Sequence, residues 1–500
     1  MSIGRTNREH LHHEKKQPSM LGAAAIQFGS RYANVAMQLV LTAVLARLLT
    51  PQEFGTVAIV SVFTSFFAVF ADLGIGPAIV QFPDLEEDDI NALFSFSTLV
   101  AIVASIAFFL LSWPIAAVYG DQQLVPLFHL TSAAVFFSTI NMVPNGLLLR
   151  NKQFGVIGGG IIVATLVSGI VGVGAAFLSF GCYALVAQSI VLAVTTFIWN
   201  RLHTKVGFGF GGVRSSLRRI ASFSGFQTAF QFVNYFSRNL DNLLTGAYMG
   251  PETLGQYDKA YKLMQMPSTY LSGIFSSVLQ PYLAAYSDKP DRVYDFWIRM
   301  SKFLAILGIW ASLVIFFCAE DIVLILYGPQ WTPAIPALQM LSLSIALQMV
   351  NSTGGAILQS IEHTDYLFAS GLIDACISVA CILAGVIVFR RIEALGACVS
   401  VAYLGHACVN LFFIGKKGLG HSVVKTVWKF ARIAGATCLT ALAFYLLSAI
   451  LPSTPPLANL AIRGCVLTGL LLGSLLLLGE KQSLGFIQYT RTIGSETDEQ

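Results

Sequence analysis

TPQEFG at residues 50–55 and GPETLG at 250–255 carry proline and glycine in matching places, Pro51 on Pro251 and Gly55 on Gly255, at an offset of 200 residues. The same offset pairs Gln27 with Gln227 and Asn34 with Asn234 upstream. Downstream it drifts as loops differ in length: VYG at 118–120 meets LYG at 326–328, and INMVPNG at 140–146 meets VNSTGGA at 350–356, with Asn141 on Asn351. The matches are few but keep their order, which points to an internal duplication.

The composition says what kind of unit is duplicated. Of 500 residues, 55% are hydrophobic and 11% charged, against a charged share of about 25% in soluble domains. A membrane-spanning helix needs about 20 mostly apolar residues. The sequence divides into about 14 such stretches, near 21–48, 54–80, 91–118, 124–149, 155–179, 182–202, 222–248, 256–285, 300–319, 333–360, 366–389, 394–414, 426–450 and 457–479. The runs are continuous and too long for barrel strands, so the expected fold is an all-α polytopic membrane protein.

Each copy then holds six spans. An even number returns the chain to its starting side, so the copies share one orientation, as in transporters built from parallel repeats. The expected organisation is a cytoplasmic tail (1–20), a first six-helix lobe (21–202), a basic cytoplasmic linker (203–221), a second six-helix lobe (222–414), two extra C-terminal helices (415–479) and a cytoplasmic C-terminal tail (480–500). The first twenty residues are polar and the first apolar run is too long for a signal peptide, so no cleavable signal is expected. With the N-terminus inside, only Arg47, Arg390 and Arg391 of the 30 Lys and Arg fall in outside loops, an asymmetry that puts both termini in the cytoplasm.

Five basic residues remain within the spans: Arg31, Arg238, Lys259, Lys262 and Arg463. Arg238 belongs to QFVNYFSRNLDN (231–242), where Gln227, Gln231, Asn234, Arg238 and Asp241 follow helical steps of four, three, four and three and so share one face. Gln27, Arg31, Asn34 and Gln38 repeat the pattern in the first span, but with the arginine opposite Gln231 and Gln38 opposite Arg238. The two arginines therefore differ in depth by about 10 Å. Such faces are costly against lipid. They line a water-filled cavity or zip helices together by amide hydrogen bonds; Arg31, with no acid within a turn or two on its own helix, favours the cavity. Asp258 and Lys262 are one turn apart and can pair, leaving Lys259 freer, and Asp374 stands alone in span eleven.

The eight cysteines lie almost entirely in apolar spans without a C-x-x-C pair and read as packing residues, and HLHH at 10–13 reads as a polar tail. No metal site, cofactor or nucleic-acid partner is expected. The glycines of 203–221 lack the G-K-[ST] of a phosphate loop, and neither H-E-x-x-H nor G-x-S-x-G occurs, so the chain does not read as an enzyme.

RNLDNLLTGAYMGPETLGQYDKAYKLMQMP (238–267) and ARLLTPQEFGTVAIVSVF (46–63) resemble bacterial polysaccharide exporters of the Wzx type, the WzxC-like branch of the MOP flippase superfamily, over roughly residues 20–480. The resemblance implies a flippase in the bacterial inner membrane. It would move undecaprenyl-pyrophosphate-linked oligosaccharide across the bilayer by alternating access of the two lobes, for exopolysaccharide or lipopolysaccharide synthesis, beside other membrane proteins of polysaccharide assembly. It gives the cationic cavity a ligand: Arg31 and Arg238 would bind the pyrophosphate, whose oxygens suit the guanidinium fork. Gln27, Asn34, Gln38, Gln227, Gln231, Asn234, Lys259 and Lys262 would line the cavity. Related lipid II flippases imply coupling to H⁺ or Na⁺ through acids on helices seven and eleven, here Asp241 and Asp374. The alternative is a multidrug exporter of the MATE type, whose cavity is usually acid-lined for cations.

Overall fold

The computed structural model describes residues 20–72, 74–82, 84–209, 211, 235, 239–284, 290–361, 363–450 and 455–480. All described regular structure is helical. The first half contains α1 (Met20–Leu48), α2 (Pro51–Asp72), α3 (Ile75–Gln81), α4 (Glu87–Leu110), α5 (Ser112–Tyr119), α6 (Leu124–Ile140), α7 (Met142–Arg150), α8 (Phe154–Phe177) and α9 (Cys182–Leu202). The helical run 239–249, here α10, and the single residue 235 are what is described of the seventh expected span. There follow α11 (Pro251–Ala284), α12 (Pro290–Phe317), α13 (Ala319–Leu326), α14 (Ala334–Ser342), α15 (Ile345–Asn351), α16 (Gly354–Ser360), α17 (Thr364–Leu383), α18 (Ile392–Asn410), α19 (Val423–Trp428), α20 (Ala431–Ser448) and α21 (Pro456–Leu477).

Among the described residues ten helices, counting the continuous pairs α4–α5 and α6–α7 once each, are long and apolar enough to cross a membrane. They become eleven if α14 and the α15–α16 run, bent by 43°, form one span. The 29-residue α1 and 34-residue α11 are not among them. Their length suffices, but Arg31, Asn34 and Gln38 in α1, and Glu252, Gln256, Asp258, Lys259 and Lys262 in α11, lower their hydropathy.

Local sequence sets the helix ends. Thr50 and Glu53 close a capping box at the start of α2: the Thr50 amide donates to Glu53 Oε2 at 2.7 Å and the Glu53 amide to Thr50 Oγ1 at 3.3 Å. Pro51 occupies the first helical position, where a missing N–H costs nothing. The duplicated Tyr-Gly turns that end α5 and follow α13 both need a left-handed glycine, with φ of 65° at Gly120 and 94° at Gly328.

In the first half α1 packs on α8, α8 on α9, α9 and α2 on α6, and α6 on α4; in the second α11 meets α14, α15 and α16, while α12 packs on α15 and α18 on α14 and α17. The α20–α21 pair lies against α12 and α13. Two ion pairs fasten α21 there. Arg463 reaches Asp321 at 3.4 Å, with Asn459 donating to the same carboxylate at 2.9 and 3.1 Å, and Lys302 meets Glu480 at 2.8 Å just past the other end. The halves join where α2 crosses α11.

Candidate functional site

The duplicated motif that opens the sequence argument is also the junction between the halves. A Cβ built on Gly55 would fall on the Pro251 carbonyl, 2.9 Å from the Gly255 nitrogen; one built on Gly255 would fall on the Pro51 carbonyl, 3.0 Å from the Gly55 nitrogen. The contact is reciprocal, as in a two-fold interface where the same patch meets itself. Glycine is required at both places because backbone touches backbone.

Around this crossing the end of α1 is sealed by the turn 327–331. The last carbonyls of a helix lack intrahelical partners; here Gln330 Nε2 donates to Ala46 O at 2.5 Å and Leu49 O at 3.0 Å, and Trp331 Nε1 donates to Ala46 O at 2.8 Å. Arg47 reaches Ile325 O at 2.6 Å. From α11, Gln256 Nε2 donates to Gln330 O at 3.2 Å. Trp331 is fully buried and meets the Phe54 ring edge-on at 5.4 Å. On the other side of the crossing Tyr119 donates to Leu243 O at 3.1 Å. These contacts join the two halves on both sides of the crossing.

The charged residues of α10 and α11 lie just beneath. Asp241 is buried and its carboxylate accepts from Tyr257 Oη at 2.8 Å and from the Asn242 amide at 2.8 Å. Lys262 pairs with Asp258 at 2.7 Å with its own side chain largely exposed. Lys259, one residue from Asp258, is buried, with its ammonium 3.7 Å from the Phe54 ring centroid.

On α1, Arg31 and Gln38 are exposed, whereas Asn34 is half-buried and its Oδ1 accepts from Thr165 on α8 at 2.8 Å. One amide of that stripe is thus engaged between helices, while its neighbours a turn either side are open. The side chain of Gln27 and residues Gln227, Gln231, Asn234 and Arg238 lie outside the described residues. Asp374 on α17 is half-buried with Oδ1 unpartnered; its backbone carbonyl lies 3.0 Å from His406 Nε2, itself 3.0 Å from Ser378 Oγ. Among the described residues no hydrogen bond or ion pair joins Asp374 to Asp241, and no group of three or more His, Cys, Asp or Glu is placed to hold a metal.

Sequence reasoning did not pick out Phe54, Tyr327, Gln330 or Trp331. A signal existed: the turn after the second Tyr-Gly reads PQW where the first reads DQQ, and a tryptophan in an otherwise polar turn needs a burial site.

The model of the family described as polysaccharide biosynthesis protein matches residues 44–336, which includes both duplicated motifs and the crossing they make. The chain belongs to this family. Within the polysaccharide biosynthesis family it is similar to the lipopolysaccharide biosynthesis protein WzxC of Escherichia coli K12, 24% identical over 358 residues, covering 70% of this chain and 72% of WzxC. It is similar also to the succinoglycan biosynthesis transport protein ExoT of Rhizobium meliloti, 23% identical over 379 residues, covering 73% of this chain and 74% of ExoT. Among solved structures the fold resembles the lipid II flippase MurJ in an inward closed conformation, with TM-score 0.72, 14% identity and coverage of 91% and 98%. A MATE family transporter of the MOP superfamily gives 0.60, 14%, 82% and 98%. The chain is a multi-pass membrane protein of the polysaccharide biosynthesis family, with a fold like those of MurJ and the MATE transporter.

Proposed function

We propose that this chain translocates undecaprenyl-pyrophosphate-linked oligosaccharide across the bacterial inner membrane by alternating access. Membership of the polysaccharide biosynthesis family supports the substrate class. The observation that carries the mechanism is the reciprocal Gly55–Gly255 crossing, because one self-complementary contact between halves can open and close as a unit.

In this reading there are fourteen spans, with lobes at 21–202 and 222–414 joined by the cytoplasmic linker 203–221 and followed by the two helices of 415–479. Both termini are cytoplasmic, which makes the crossing periplasmic and closed in this arrangement. Arg31 and Arg238 bind the pyrophosphate in turn as it moves outward, and Gln27, Asn34, Gln38, Gln227, Gln231 and Asn234 offer hydrogen bonds to sugar hydroxyls, with Lys262 adding positive charge beneath the crossing. Asp241 and Asp374 are the candidates for binding H⁺ or Na⁺, whose occupancy would bias one arrangement of the lobes. The exposed Arg31 supports an anionic cargo over the cationic drugs of MATE exporters.

Deletion of the gene tests the reading. Lipid-linked oligosaccharide is expected to accumulate facing the cytoplasm and to clear when the gene is restored; normal polymer with no accumulated intermediate would reject it.

A further inference from the structure

Lys259 is 4% exposed, and its ammonium is ringed by aromatic faces: Phe54 at 3.7 Å, Tyr327 at 5.8 Å and Trp331 at 6.0 Å. Phe54 comes from the first half and the other two from the second. The neighbouring carboxylate of Asp258 is taken by Lys262. The cation is therefore held by ring quadrupoles across the crossing, with no ion pair among the described residues.

The duplication supplies its own control. The offset that pairs Gly55 with Gly255 also pairs Phe54 with Leu254 and Ile59 with Lys259, and the Tyr-Gly turns pair Tyr119 with Tyr327. The counterpart box exists: Tyr119, Leu254 and Ile59 converge at 3.0, 3.1 and 3.2 Å on the position a Cβ of Gly246 would take. Leu254 again crosses from the opposite half. One box encloses an isoleucine, with Ile59 1% and Leu254 0% exposed; the other encloses a lysine. Packing alone does not call for a lysine, since isoleucine fills the matching place. Desolvating an ammonium is costly and the aromatic faces repay only part of it, so Lys259 makes its half of the seal easier to break.

We propose that Lys259 is the gate cation of this transporter. It lowers the stability of the closed crossing, and when the halves part and Phe54 withdraws, it presents an uncovered ammonium to a diphosphate group, the last contact before release. The proposal rests on the pyrophosphate-linked cargo of the preceding subsection for its ligand, and on the paired boxes for the device itself.

The test uses full-length protein in lipid nanodiscs with spin labels at the exposed residues Gln52 and Thr332, one on each side of the crossing. Inorganic pyrophosphate, compared with chloride at equal ionic strength, is expected to raise the long-distance population of the wild type by about threefold or more. Lys259→Ile, which copies the counterpart box, should stay at the short distance and ignore pyrophosphate, while Lys259→Arg should keep the response. Lys259→Met replaces the isoleucine variant if the latter does not fold. An equal response in the uncharged variant, or none in the wild type, overturns the proposal. Failure here with lipid-linked oligosaccharide accumulating in the deletion strain would reject the gate cation alone; a pyrophosphate response without that accumulation would reject the cargo and leave the gate.

Discussion

Replacing Gly55 by alanine should push the crossing open by an amount the geometry fixes. The new Cβ would lie 2.5 Å from the Pro251 carbonyl carbon and almost on its oxygen, where ordinary contact begins at 3.4 Å. The shortfall to the carbon is 0.9 Å, and the obstruction is backbone of α11, which cannot rotate away as a side chain can. Overpacking of this kind costs about 1–3 kcal/mol, and with a rigid obstacle about 2 kcal/mol is a fair central value. The penalty falls only on the closed state. At 1.4 kcal/mol per tenfold, the closed-to-open ratio should fall roughly thirtyfold. Distances between spin labels at Gln52 and Thr332 in nanodiscs read that ratio directly. Gly464→Ala on α21, with nothing within 4 Å of its Cβ, is the control. Gly255→Ala should match Gly55→Ala, and the double variant should cost less than the sum, because both strain one contact. Lowered thermal stability with an unchanged distance distribution would refute the reasoning, since the crossing would then be a permanent seam.

Three further outcomes follow from the described contacts. Arg463→Ala removes the cation that ties α21 to Asp321; Asn459 still satisfies part of the carboxylate and Arg463 is partly exposed, so the loss should be about 1–3 kcal/mol, below the full cost of breaking a buried pair, seen as a lowered Tm and contradicted by an unchanged one. Tyr257→Phe takes one donor from the buried Asp241 carboxylate and should cost about 1–3 kcal/mol in unfolding measurements, whereas Tyr261→Phe, on the next turn, should leave Asp241 satisfied. Arg31→Ala and Arg238→Ala should each abolish periplasmic appearance of the glycan at near-normal membrane levels of protein; normal export by both would remove the pyrophosphate assignment.

The all-helical membrane class was legible because bilayer thickness and backbone hydrogen bonding leave few choices; the duplicated Pro and Gly of residues 50–55 and 250–255 signalled a repeat, but that they meet each other across the halves is visible only in the structure. The Asp258–Lys262 pair was legible for a local reason, being one helical turn apart. Partners distant in sequence were not. Arg463 stood out as an intramembrane cation, but Asp321 lies on another helix and no spacing rule links them. Asp241 read as one of a polar stripe and a candidate ion site; its carboxylate also takes the hydroxyl of Tyr257, which only the approach of α10 to α11 supplies. Lys259 read as lining an open cavity, and its burial depends on Phe54 and Trp331, which reach it from α2 and from the turn after α13. α1 and α11 were expected as spans, but the polar residues they carry keep them out of the ten helices apolar enough to cross a membrane.

The most direct measurement of the central claim is translocation in reconstituted vesicles. Purified protein is placed in liposomes carrying undecaprenyl-pyrophosphate-linked oligosaccharide isolated from the host on both leaflets, and the fraction open to an impermeant glycosidase outside is followed in time. Vesicles with the wild-type chain should expose the inner-leaflet pool until nearly all is cut, while Arg31→Ala vesicles should stop at the outer-leaflet share. Cleavage that halts at that same share with the wild-type chain, under an imposed proton or sodium gradient of either sign, would contradict the account.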